Sequence, residues 1–81
     1  MPERLTPKRP FTTMEQLVAI LVGRGLEYPE IASRLDIKKA TVKFHAERAS
    51  SKLPGNDAPR MKLQLWWRGA GREILEPLSE R

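Results

Sequence analysis

The feature that most constrains this chain lies between Leu35 and Lys39, where one helical apolar pattern stops and another begins almost at once. Upstream, Ile31, Ala32 and Leu35 give a short helix its apolar face, with Pro29 suited to its first turn and Glu30 adding favourable charge there. Downstream, Val42, Ala46, Ala49 and Leu53 form a stripe at the ~100° spacing of an α-helix. Asp36 tolerates the left-handed backbone that closes the first of these helices, and Ile37 points inward before the next begins near Lys38. A short helix joined by so tight a turn to a long, basic one matches the helix-turn-helix pattern.

The flanks supply two more helices. Thr12 and Glu15 form a capping box worth about 1 kcal/mol, and Phe11 is placed to staple onto the first turn. Met14, Leu17, Val18, Leu21 and Val22 follow at helical spacing, and Gly25 can adopt the positive φ that ends the helix. The basic helix runs to about Leu53, where Pro54 and Gly55 stop it. A fourth helix begins near Asp57 or Ala58, with Asp57 the better cap and Pro59 in the first turn. Leu63, Trp66, Trp67 and Ala70 share one of its faces, and Met61 and Leu65 occupy another. The expected architecture is therefore all-α with four helices. Residues 1–10 read as a mobile basic arm, 11–70 as the domain, and 71–81 as a tail with at most a frayed turn around Ile74 and Leu75.

A chain of 81 residues buries only about 60% of its unfolded surface, so its margin of stability is small. It has no cysteine and hence neither disulfides nor a thiolate metal site, which fits a reducing cytoplasm. No apolar run approaches the roughly 20 residues of a membrane span, and the N-terminus lacks the apolar stretch of a signal peptide. The expectation is a cytoplasmic protein with no membrane partner. Its net charge of +5 is unevenly placed. Lys38, Lys39, Lys43, Arg48 and Lys52 face Glu47 alone, whereas residues 11–37 are net acidic. Such segregation points to an acidic partner.

On the wheel of the third helix, Ala40, Lys43, Phe44, Glu47 and Ser51 point away from the core, with Lys39, Arg48 and Lys52 towards the flanks. A DNA major groove suits this face: Phe44 can meet thymine methyl groups, Lys43 can donate to guanine, and Glu47 can accept from cytosine. The duller alternative pairs Lys43 with Glu47 along the helix. Lys38 and Lys39, unfavourable beside the positive helix end, are explained if a phosphate docks there, and Arg48 at the flank extends the same backbone contact. His45, without a second His or a Cys nearby, suits packing or a phosphate rather than a metal. Trp66 and Trp67 could stack on bases, but their spacing with Leu63 assigns them to the core. Met61 and Leu65 can be covered by a second copy or by the N-terminal arm.

From Phe11 to Leu53 the chain resembles the DNA-binding domain of LuxR/FixJ/GerE-type bacterial transcription regulators. The resemblance rests on Phe11, Thr12 and Glu15, on Gly25, on "EIASRL" at 30–35, on Ile37, on "TVKFH" at 41–45 and on "KL" at 52–53. It implies the tetra-helical fold of that family, with the third helix in the major groove and a fourth helix often used for homodimerisation. It implies base contacts from Lys43, Phe44 and Glu47, and backbone contacts from Tyr28, Thr41, Lys52 and His45. Lys38, Glu27 and Asp36 stand where the family commonly has Ser, Ser or Thr, and Gly, so helix capping is poorer; "PGNDAPR" replaces the family's shorter segment before the fourth helix.

The expected function is sequence-specific binding of double-stranded DNA by a small transcriptional regulator, in a bacterium or from a phage acting in its host. The alternative is a protein-interaction module that binds RNA polymerase or another regulator. With one His, no Cys, no phosphate-binding Gly-rich loop and no paired-carboxylate cleft, neither catalysis nor a cofactor is expected.

Overall fold

The computed structural model describes residues 7–71. It contains α1 (Thr13–Gly23), α2 (Tyr28–Leu35), α3 (Lys39–Ser51) and α4 (Pro59–Trp66), followed by a π-helical turn, Trp67–Gly71. No strand occurs among the described residues. Residues 1–6 of the expected arm, the side chain of Ala70 and the tail with Ile74 and Leu75 lie outside them.

The capping box forms as expected: Thr12 Oγ1 accepts the Glu15 N–H at 3.1 Å, and Glu15 Oε1 accepts the Thr12 N–H at 3.0 Å. The inward face of α1 differs from the expected stripe. Glu15, Val18, Ala19 and Val22 are buried, with Ile20 beside them, while Leu17 is 40% exposed. The true stripe follows the i, i+3, i+4, i+7 rule but begins on a carboxylate, so a purely apolar reading rotates it by about one residue. Phe11, just before the helix, sets its ring edge-on against Trp66, with centroids 5.2 Å apart.

Residues with positive φ shape the turns at Gly25, Asp36 and Gly55. Gly25 has φ 100° after α1, and Asp36 has φ 57° and ψ 47° at the end of α2, as its tolerance for that conformation predicts. The Ile37 N–H reaches Ala32 O at 3.0 Å, closing the end of α2 while Ile37 packs against the core. None of Glu27, Lys38 and Ala58, the N-cap residues of α2, α3 and α4, caps its helix with a side chain. Asp57 thus does not take the capping position expected of it; Ala58 does.

α1 lies against both α3 and α4, which also meet each other, while α2 is carried mainly on α3. Val18, Val22, Ile31, Val42 and Leu63 are fully buried where these helices converge. Trp66 is buried and Trp67 packs against the same core. Trp67 also lies across the end of α1: a Cβ added at Gly23 would stand 2.3 Å from Trp67 Cβ, so only glycine allows that approach. Met61 and Leu65 are exposed on the opposite side of α4, as expected. Lys62 is buried despite its charge.

The expected arm also requires correction at its inner end. The Lys8 N–H donates to Lys52 O at 2.7 Å, and Pro10 O accepts from Lys52 Nζ at 3.0 Å. Residues 7–10 are therefore fastened to the C-terminal end of α3. No helix of the described residues is long and apolar enough to cross a membrane.

Candidate nucleic-acid interface

The tight turn at Asp36 and Ile37 leaves one side of α3 uncovered. Ala40, Lys43, Phe44, Glu47 and Ser51 are all exposed there, as the wheel predicts. Phe44 is 54% exposed. Lys43 and Glu47 do not pair, and among the described residues Lys38, Lys39 and Lys43 enter no ion pair. At the start of α3 the first turn carries no acidic residue and no side-chain cap, so its amide donors still attract an anion.

Phe44 is held in a defined setting. The half-buried His45 ring meets it edge-on at 5.4 Å, and the Arg48 guanidinium carbon lies 5.5 Å from its centroid. Arg48 is itself tethered, its Nε donating to Glu15 Oε2 at 3.3 Å. A carboxylate of α1 thereby fixes the cation that lies over the exposed ring of α3. Arg48 stays largely exposed and can still reach a backbone phosphate.

Lys52 overturns an expectation. It was expected to contact the DNA backbone, but it is only 7% exposed, and its Nζ is bound to Glu15 Oε1 at 2.5 Å and to Pro10 O. Its charge is consumed inside the protein, where the buried Glu15 needs a partner. Burial works against the charged form of Glu15, which is 1% exposed. The Lys52 ammonium, the Thr12 amide and the Arg48 guanidinium together outweigh burial and hold the carboxyl below its ordinary value.

A second feature lies beside the exposed face of α3. The N-terminal ends of α2 and α4 and the first turns of α3 enclose an open cleft of about 540 Å³. Tyr28, expected as a backbone contact, lines it together with Lys39 and Lys43, while Thr41 is half-buried on α3. Burial raises the Tyr28 phenol above its usual value, against the lowering effect of Arg60 and with help from Glu47, so at neutral pH it remains a hydrogen-bond donor. Arg60 completes the rim, and sequence reasoning missed its place there. Its sole signal in the sequence is its place in a basic run, Arg60, Lys62, Arg68 and Arg72, which periodicity does not assign to a face.

A short and a long helix joined by a left-handed residue, with the long helix baring a basic, aromatic face, define a DNA-binding helix-turn-helix protein. The family model described as bacterial regulatory proteins, luxR family, matches residues 9–59, well over half of the chain. The chain therefore belongs to the LuxR family of DNA-binding transcription regulators. No curated protein and no solved structure matches it.

Proposed function

We propose that this protein binds specific double-stranded DNA sites as a small transcriptional regulator in the bacterial cytoplasm, with α3 lying in the major groove. Lys43, Phe44 and Glu47 contact base edges; Tyr28, Lys38, Lys39, Thr41, His45 and Arg48 contact the sugar-phosphate backbone. The observation that carries this reading is the exposed Phe44 ring, held by Arg48 on a face whose lysines have no protein partner among the described residues. In a groove such a ring gains thymine methyl contacts and the lysines gain phosphates or guanine acceptors.

Titrating random duplex DNA at a series of salt concentrations tests the reading. Affinity should fall steeply, with a log-log slope of about −0.9 per neutralised phosphate. A flat response would favour the rival protein-interaction module, with RNA polymerase or another regulator as partner. The exposed Met61 and Leu65 support a homodimer contact through α4, which would place two copies on a two-fold DNA site. Light scattering with and without DNA checks this: a monomer in both states would remove the two-fold site.

A further inference from the structure

We infer that the cleft at the N-terminal ends of α2, α3 and α4 seats a DNA backbone phosphate, and that Arg60 joins Lys39 in holding it, kept in place by Glu27 until the phosphate arrives. The inference rests on the proposed DNA binding and adds to it a residue from outside the helix-turn-helix pair. Two cations, Lys39 and Arg60, line a cleft together with Tyr28, Pro29 and Ala40, and Lys43 borders it as well. Lys39 belongs to α3 and Arg60 to α4, so their convergence is a property of the fold and not of one helical face.

Arg60 is aimed but weakly held. Its guanidinium carbon lies 6.0 Å from the Tyr28 ring centroid, and one Nη stands 3.4 Å from both Gly25 O and Glu27 Oε2. Contacts of that length are at the limit of hydrogen bonding, and the Glu27 side chain is 75% exposed, so the pair is cheaply broken. Glu27 occupies the N-cap of α2, yet its carboxylate makes no cap bond there. It turns to Arg60 instead. The carboxylate meets only one Arg60 Nη and at a long distance, so most of the guanidinium fork stays open to a phosphodiester, which can accept two parallel N–H bonds from it. The cleft adjoins Lys43 and Ala40 on the groove face of α3. With α3 seated between two phosphate strands, one of those strands runs along this flank.

The test is salt-dependent binding of random duplex DNA by the full chain and its variants, with folding checked by thermal melting. Arg60→Met keeps an extended side chain over Tyr28 and removes the charge. It should lower the magnitude of the log-log slope by about 0.9, one phosphate's worth. Arg60→Lys should retain the wild-type slope. Glu27→Gln should tighten binding severalfold and lose that gain when combined with Arg60→Met. A steep wild-type slope that Arg60→Met leaves unchanged overturns this inference alone, whereas a flat wild-type slope overturns the proposed function itself. If Arg60→Met does not fold, Glu27→Gln decides: unchanged or weaker affinity excludes the seat.

Discussion

The two ends of α3 use the same residue types for opposite purposes. At the C-terminal end, Arg48 and Lys52 turn inward to Glu15, and Lys52 also ties down Pro10. At the N-terminal end, Lys38, Lys39 and Lys43 have no acidic partner among the described residues, and no side chain caps the helix. One end uses Lys52 wholly, and the partly exposed Arg48 in part, to hold the helix to α1; the other keeps its lysines free of acidic partners among the described residues. Basic charge on a helix thus has no single meaning, and its role depends on whether a buried carboxylate lies within reach.

The largest test of this contrast removes the buried cation. Lys52→Ala leaves Glu15 buried with, among the described residues, Arg48 as its one remaining ion-pair partner, and should cost about 3–5 kcal/mol in a denaturant melt. In a chain whose total stability is on the order of 5–15 kcal/mol this is severe. The DNA-binding salt slope of the fraction still folded should not change; a shallower slope would return Lys52 to the phosphate contacts. At the other end the effects reverse. Lys43→Ala should leave the melt nearly unchanged while specific affinity drops by about 1–3 kcal/mol, with relaxed preference at one base position in a binding-site selection. Equal loss on every sequence would make Lys43 a phosphate contact.

Lys38→Ser sharpens the contrast at smaller scale. A serine at the N-cap should raise stability by about 1 kcal/mol in the same melt while weakening DNA binding, because it satisfies amides and removes a cation together. A gain in both would show that Lys38 has no role in binding. The smallest effect is that of pH. Because the Glu15 carboxyl is held below its ordinary value in the folded protein, its contribution is complete above the unfolded value and fades as pH falls through the lower folded one. Melting temperature should therefore decline below about pH 4, and Glu15→Gln should be less stable at neutral pH with a flatter acid limb.

The fold was largely legible because its signals are local. The capping box at Thr12 and Glu15, the proline in the first turn of α2 and the left-handed Asp36 each depend on residues a few positions apart, and each is found. Long-range facts were not legible. Glu15 already had a complete explanation as a cap, so nothing in the sequence asked for its second partners, which lie at positions 48 and 52 on α3. Without that pair Lys52 reads as one more basic residue beside the exposed face of α3, and the inward stripe of α1 is displaced towards Leu17. The exposed face was read correctly because Phe44 falls opposite Val42, Ala46 and Ala49 on any α-helix. The cleft escaped notice because Arg60 enters it across a loop, and periodicity carries no information about where a loop delivers the next helix.

The tether from Glu15 through Arg48 to Phe44 has a practical consequence for engineering. Grafting the segment Lys39–Ser51 onto another scaffold would transfer every side chain of the exposed face, but not the carboxylate of a neighbouring helix that sets the pose of the arginine. The ring would then sample its own rotamers. Portability of this segment requires carrying over an acidic anchor from outside it.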